Sequence, residues 1–336
     1  MQSKRTAVVA GGAGFVGSHL CDALLERGSE VICIDSFQTG RIQNVAALEN
    51  HPRFTLIDGD ICEITEMPGR IDRIYNLACP ASPPHYQADP VRTMMTCVVG
   101  TAQLLALAEA HGARFLQAST SEVYGDPESH PQREDYVGHV NCTGPRACYD
   151  EGKRAAESLC FDYVRAGRLD VRVARIFNTY GPRMRADDGR IVSNLLVQAL
   201  ADRPMTIYGD GEQTRSFCYV SDLIDGLIRL MEVEPAPDGA VNLGNPGEFS
   251  VMELAALVRE LVPGTAPIEF LPKPQDDPRR RKPDISRAQA LLGWKPRVSL
   301  ADGLPLTAAW FQMDREVARP APGSRANGAA MAAGMR

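Results

Sequence analysis

Thr6-Ala7-Val8-Val9-Ala10-Gly11-Gly12-Ala13-Gly14-Phe15-Val16-Gly17 passes from an apolar run to a glycine turn near the start of the chain. The first five residues read as a strand buried on both faces, and the glycines turn the chain into a helix that the pattern starts near Ser18. Gly11 permits the tight turn, Gly14 lets backbone approach a pyrophosphate, and Gly17 allows close helix packing, while the helix N-terminus offers free N–H groups to the anion. The spacing is G-x-x-G-x-x-G rather than G-x-G-x-x-G. A second strand, Glu30 to Ile34, ends in Asp35, about 20 residues past the turn, where a carboxylate accepts both hydroxyls of an adenosine ribose. The same carboxylate repels a 2′-phosphate, which favours NAD over NADP. Two more strand ends fit the sheet: Phe54–Ile57 leading into Asp58-Gly59-Asp60-Ile61, and Arg73–Ala78. Ligands on open α/β sheets gather at such carboxyl ends.

A second centre of chemistry follows. Ala118-Ser119-Thr120-Ser121-Glu122-Val123-Tyr124-Gly125 precedes Tyr149-Asp150-Glu151-Gly152-Lys153. Tyr149 and Lys153 are one helical turn apart on one face, where an ammonium favours the phenolate and makes Tyr149 a candidate general base. Alone, Tyr-x-x-x-Lys is also the pattern of an ordinary surface pair; beside a nucleotide fold it reads as an acid/base centre.

At 336 residues, 44% of them hydrophobic, the chain is long enough for a large core. A net charge of −6 argues against a nucleic-acid surface, although Arg279-Arg280-Arg281-Lys282 forms a local basic cluster. Nine cysteines without C-x-x-C spacing suggest reduced thiols rather than a disulfide framework or a zinc site, and no metal is expected. Cys148 reads as a packing residue. With no signal-peptide pattern before the first strand and no apolar run approaching about 18 residues, a cytoplasmic protein without membrane partners is expected.

These residues make the chain resemble the extended short-chain dehydrogenase/reductase superfamily, and within it the UDP-glucuronic acid decarboxylase (UDP-xylose synthase) family, from about residue 5 to 312. The resemblance rests on Leu77-Ala78-Cys79-Pro80-Ala81-Ser82-Pro83, Ser119 to Asp126, Gly144 to Lys153, Ala174 to Met184, and Asp276-Asp277-Pro278 with Arg281-Lys282-Pro283-Asp284. It departs at Met95 and Cys97, where a lysine and an asparagine or serine are common. The related 4,6-dehydratases usually carry Thr-Asp-Glu where this chain has Thr120-Ser121-Glu122. A decarboxylase expels no hydroxide, and an acid at Ser121 would repel the substrate carboxylate. Glu122, a buried carboxyl close to that carboxylate, is expected to have a raised pKa.

What the resemblance implies is a cycle on UDP-glucuronate. Tyr149, with Lys153 and Thr120, takes the proton of the sugar 4-hydroxyl as C4 is oxidised by NAD. The β-keto acid loses CO2, and Glu122, Ser121 or water protonates C5. Reduction then gives UDP-xylose. Alternatives are release of UDP-4-keto-pentose with NADH, or a non-catalytic NAD-binding sensor. Implied cofactor contacts are Gly11, Gly14, Phe15, Val16, Gly17, Asp35, Ser36, Thr39, Gly40, Asp60, Ile61, Leu77, Ala78, Pro80, Thr96, Tyr149, Lys153 and Thr179. Implied substrate contacts are Tyr86, Asn178, Arg190, Tyr208, Arg215 and Arg281, the arginines suiting phosphate or carboxylate oxygens. His85 reads as a loop histidine.

The expected architecture is a Rossmann-type doubly wound parallel sheet with a smaller C-terminal substrate-binding lobe. Residues 1–177 would form the NAD-binding domain, rejoined by 217–243; 178–216 and 244–315 the nucleotide-sugar lobe; and 317–336 a disordered tail, poor in large apolar residues. The strand-turn-helix over 217–231 belongs to the return. Helices over 99–111 and 149–165, apolar on more than one face, suit burial against the sheet and a partner, and the family resemblance implies a two-fold homodimer.

Overall fold

A computed structural model describes residues 5–264, 267–273 and 280–317, with 315–317 as helix backbone only. Asp276-Asp277-Pro278, Arg279 and the tail expected over 317–336 lie outside the described residues, except that the last helix runs through the backbone of Val317.

Short runs rich in branched apolar and aromatic residues give the strands β1 (Thr6–Ala10), β2 (Glu30–Asp35), β3 (Phe54–Asp58), β4 (Arg73–Asn76), β5 (Arg114–Thr120) and β6 (Val171–Ile176). Later strands are shorter: β7 (Thr179–Tyr180), β8 (Met205–Tyr208), β9 (Thr214–Ser216), β10 (Cys218–Tyr219), β11 (Val241–Leu243), β12 (Glu248–Ser250), β13 (Ile268–Leu271) and β14 (Arg280–Arg281). The helices are α1 (Phe15–Glu26), α2 (Pro83–Tyr86), α3 (Pro90–Met95), α4 (Thr101–His111), α5 (Ala147–Arg165), α6 (Ile191–Leu200), α7 (Val220–Glu232), α8 (Val251–Leu261), α9 (Ser286–Leu292) and α10 (Leu300–Val317).

Seven strands form one parallel sheet in the order β11-β6-β5-β4-β1-β2-β3. Its order reverses between β1 and β4, which opens a crevice at their carboxyl ends. Both faces are covered, because successive side chains of a strand point to opposite sides. Ala7 and Val9 join a core with Leu20 and Leu24 of α1 and Leu223 and Leu227 of α7. Val8 and Ala10 join a second with Leu104 and Leu105 of α4 and Cys160 of α5. Each such leucine contributes about 1.5–3 kcal/mol by leaving water, and truncating Leu104 to alanine would cost about 2–5 kcal/mol.

Helix α1 begins three residues earlier than the expected Ser18, with Gly14 at its N-cap. The helix expected from Val99 is also longer. Asp89 caps α3 by accepting the Arg92 N–H at 3.0 Å, Pro90 occupies the first turn, and the chain continues through a π turn, Thr96–Gly100, into α4. A π turn holds one extra residue and loosens the hydrogen-bond ladder. Gly112, at φ 61°, ends α4 by donating to Ala108 and Glu109 carbonyls. The continuous run Pro90–His111, 22 residues with mean hydropathy 1.4, is long and apolar enough to cross a bilayer, contrary to the expectation that no run approaches that length. Half of it is buried inside the protein, against α5 and the sheet, as suits a core helix.

Beyond β6 the chain builds a second layer over the crevice. β12, β9 and β14 form one small sheet, and β8 pairs with β13. In the parallel β9–β14 ladder Arg281 is the register partner of Arg215, so two arginines stand side by side above the sheet's carboxyl end.

Candidate active site

Two adjoining cavities occupy the crevice. The first takes its floor from the glycine turn. Gly11 has φ 75°, and a Cβ there would lie 2.8 Å from the Leu77 carbonyl carbon; at Gly17 a Cβ would meet the Gly11 oxygen at 2.1 Å. The turn is therefore a cradle that any side chain would fill. No side chain caps α1, so its first N–H groups remain available to an anion. Gly14, Phe15, Val16 and Gly17 line this cavity with Gly11. At its far end Asp35 is buried, accepting hydrogen bonds from the Ala13 and Phe37 N–H groups, each at 2.9 Å. Burial raises its pKa against the pull of those donors. Each carboxylate oxygen keeps a second lone pair for a diol. Ser36, Thr39 and Gly40 follow on the wall, Gly40 so near that a Cβ would lie 2.5 Å from the Asp35 carboxylate. Asp60, Ile61, Leu77, Ala78, Pro80 and Thr96 complete it. Cradle, open helix terminus and carboxylate fit an adenine dinucleotide.

The second cavity, about 480 Å³, holds every expected catalytic residue: Thr120, Ser121, Glu122, Tyr149 and Lys153. Its size is that of a small-molecule site. β5 ends on Thr120, whose hydroxyl caps the following turn by accepting the Glu122 N–H at 3.2 Å. Tyr149 stands in the first turn of α5, with Lys153 one turn on. The Lys153 ammonium donates to the Ala118 carbonyl at 2.9 Å and lies 5.9 Å from the centre of the Tyr149 ring. Here the structure corrects the sequence. Burial, followed by the neighbouring Cys79, pushes the Tyr149 phenol well above its ordinary pKa, and the hydrogen bond with Thr120 offsets only part of this. The ammonium spends its hydrogen bond on backbone, and desolvation of the phenolate outweighs it. Tyr86 is fully buried and stacks on Tyr149, ring centres 5.0 Å apart at 3°.

Glu122 brings a second correction. Burial alone would raise its pKa, but Arg281 and Arg146 outweigh burial and hold it at about 2. Arg281 grips the carboxylate with both terminal nitrogens, one contact at 2.8 Å, and Arg146 adds another at 2.7 Å. The expected raised pKa fails because two guanidiniums are brought in from distant parts of the chain. The elevated carboxyl is instead Asp150, which burial and then the Glu122 charge lift to about 7 against the pull of Arg146. Asp150 Oδ1 is buried without a partner, and Oδ2 lies 4.0 Å from Arg146 Nε.

The remaining expected residues gather in the same cavity: Tyr86, Asn178, Thr179, Arg190, Tyr208, Arg215 and Arg281. Arg190 lines both cavities, paired with Asp188 and 6.0 Å from the centre of the Phe15 ring. Arg215 is buried and donates to the Thr214 carbonyl at 2.8 Å, while Tyr208 is 38% exposed at the mouth. Met95 is 47% exposed and Cys97 lies behind Cys79, so neither departure from the family pattern lines either of these two cavities. His85 sits on α2, its Nδ1 2.8 Å from Ser82 Oγ.

Sequence reasoning missed Arg146 and Asp150. Both were visible inside the quoted Gly144–Lys153 string, Arg146 directly before α5 and Asp150 one turn later, but their meaning depends on Glu122 folding against them. Below the site, Glu157 anchors β5 through the Ser119 hydroxyl and pairs with Arg175 at 2.8 Å.

Comparison with known proteins adds relatives to this geometry. Residues 7–244 match the family model "NAD dependent epimerase/dehydratase family". UDP-glucuronic acid decarboxylase 1 of Arabidopsis thaliana is 57% identical over 305 residues, covering 91% of this chain and 69% of the relative. UDP-glucuronic acid decarboxylase 1 of Xenopus tropicalis is 52% identical over 315 residues, covering 94% and 74%. Among solved structures, UDP-glucuronic acid 4-epimerase from Bacillus cereus, in complex with UDP-glucuronic acid and NAD, superposes with a TM-score of 0.83 at 31% identity, over 92% of this chain and 99% of that one. The glycine cradle, the Thr120–Tyr149–Lys153 centre and this degree of identity lead to one conclusion: the chain belongs to the NAD dependent epimerase/dehydratase family and, within it, to the UDP-glucuronic acid decarboxylases.

Proposed function

We propose that this protein converts UDP-glucuronate to UDP-xylose and CO2 through a UDP-4-keto sugar, with NAD restored at the end of each turnover. The observation that carries the reading is the charge arrangement around Glu122. Arg146 and Arg281 together bring two positive charges against the one negative of Glu122, and Asp150, raised to about 7, adds only part of another, which leaves a positive balance that suits a sugar carboxylate. Ser121, beside it, is neutral and buried, so nothing there repels that carboxylate.

Bound NAD supplies the acceptor and later the donor of hydride at C4. Tyr149 would take the 4-hydroxyl proton once the positive charge of bound NAD offsets the burial that otherwise keeps its phenol protonated, with Thr120 fixing the direction of the phenol. Lys153, tied to the end of β5 by the Ala118 carbonyl, keeps α5 in register with that strand. Once C4 is a ketone the C6 carboxylate is β to it, and loss of CO2 leaves an enolate whose oxygen faces the Tyr149 hydroxyl. Glu122 enters the cycle without a proton, so the proton for C5 arrives from water relayed past Ser121. Arg215, on the strand paired with β14, supports the view that the diphosphate lies along the β9–β14 ladder.

Incubating the purified protein with UDP-glucuronate, with and without added NAD, tests this. Proton NMR should show UDP-xylose with no lasting NADH absorbance. UDP-4-keto-pentose with stoichiometric NADH would establish early release, and unchanged substrate would refute the decarboxylase reading. The same reading includes a cytoplasmic two-fold homodimer. Exposed Val91, Met95 and Val164 on α3 and α5 support it, and sedimentation at micromolar concentration tests the dimer.

A further inference from the structure

We propose that Cys79 and Cys97 form a redox modification site, at which a peroxide links the two sulfurs into a disulfide behind Tyr149 and slows turnover reversibly. The sulfurs are 3.3 Å apart. A disulfide needs them at about 2.05 Å, a further approach of roughly 1.3 Å. Both segments are suited to give it: Cys79 lies in the loop after β4, and Cys97 sits inside the π turn, where the helix ladder is already loosened. Gly152 of α5 allows this packing, since a Cβ there would lie 3.0 Å from Cys97 Cβ. Within this coupled pair the hydrogen bond from Cys79 lowers the Cys97 thiol despite burial, with help from the Lys153 charge, while burial and the same bond push Cys79 up, so Cys97 is the sulfur that attacks. Cys97 is 1% exposed, but Cys79 lines both cavities, so a small oxidant reaches the pair through the substrate cleft. Cys21 and Cys33, a second pair of neighbouring thiols, are fully buried in the core away from either cavity, and Cys148, near enough to Cys79 and Cys97 to interact with their charge, donates to the Tyr86 carbonyl at 3.6 Å.

The chemistry balances with a peroxide as oxidant. The Cys97 thiolate attacks one peroxide oxygen and breaks the O–O bond, giving a sulfenic acid and hydroxide, which becomes water with the proton Cys97 released. The Cys79 sulfur displaces the sulfenic hydroxyl and gives up its own proton, forming S–S and a second water. Two thiols are oxidised and one peroxide is reduced. Drawing Cys79 toward the π turn moves the wall shared by both cavities by about 1 Å, a displacement that costs on the order of 10²-fold in rate.

The test treats the whole protein with hydrogen peroxide, blocks free thiols, and maps digested peptides by mass spectrometry, with UDP-glucuronate turnover assayed before and after dithiothreitol. The expected result is a Cys79–Cys97 cross-linked peptide pair, a fall in turnover of at least about tenfold, and recovery on reduction. Cys97→Ser should keep its turnover through the same exposure; Cys97→Ala replaces it should the serine variant misfold. Saturating NAD and substrate should protect the pair. A crosslink elsewhere, oxidation without a crosslink, or equal inactivation of the Cys97 variants overturns the proposal. The crosslink is read from peptides alone, so an untreated sample without turnover would count against the decarboxylase reading and leave this site to be judged by mass.

Discussion

Replacing Asp150 by asparagine should stabilise the protein, and more so as pH rises. In the folded chain this carboxyl is lifted from 3.8 to about 7, by burial first and then by the Glu122 charge. Because its folded pKa lies above the unfolded one, the stability it contributes is fully present below about pH 4 and lost as pH climbs to about 7. Three pKa units at about 1.4 kcal/mol each make the loss about 4 kcal/mol, and water entry around the ionised group reduces it to about 2–4 kcal/mol. Asparagine has the same shape and never ionises, so Asp150→Asn should match the parent near pH 4 and exceed it by that amount at pH 8. With an unfolding entropy of about 2.1 cal/mol/K per residue over roughly 300 residues, the gain corresponds to about 3–6 °C in Tm. Thermal melts of both proteins at pH 4, 5, 6, 7 and 8 measure it. A difference that is constant across the series, or a variant less stable at pH 8, would show that Asp150 is not the proton-holding carboxyl the geometry makes it.

Tyr149→Phe should lower kcat by about 10²–10⁴-fold while leaving cofactor content unchanged, measured by turnover and by the NAD released on denaturation. Arg281→Lys replaces a two-pronged grip on Glu122 by a single charge, and kcat/KM for UDP-glucuronate should fall by about tenfold or more. Ser121→Asp places a second negative group beside the sugar carboxylate. Its KM should rise by about tenfold at low salt, with a smaller rise for a neutral UDP-sugar competitor's Ki. Gly17→Ala drives a Cβ to 2.1 Å from the Gly11 oxygen and should abolish NAD binding, as read by isothermal titration.

The nucleotide half of the site was legible because its signals are local. Strand, glycines and Asp35 all fall within one stretch whose spacing is set by backbone sterics, and the structure alters only the start of α1, at Phe15 rather than Ser18. The π turn was not legible: one extra residue between Thr96 and Gly100 leaves no compositional trace, and the turn sits where α5 packs against Cys97, a contact made only in the fold. The protonation states of Glu122 and Tyr149 were misread for a related reason. Residue type and sequence neighbours gave no sign that Arg146 and Arg281 converge on one carboxylate, or that Lys153 would turn to the Ala118 carbonyl. Charge balance in a buried site belongs to the folded arrangement, and only its ingredients were written in the motifs.

The clasp on Glu122 also has a consequence for synthesis. Arg146 follows Glu122 by 24 residues, but Arg281 follows by 159. At about 5–20 residues per second, roughly 8–30 s separate the appearance of the two ends of that ion pair. For the later part of that interval, once Arg146 and Tyr149 have been made, a nascent chain could hold the β1–glycine–α1 unit and the Tyr149 centre while the carboxylate beside them has one guanidinium instead of two. A ribosome-bound intermediate would thus be competent to hold dinucleotide before it can receive a charged sugar, and the enzyme's chemistry would switch on late, when the β14 segment pairs with β9.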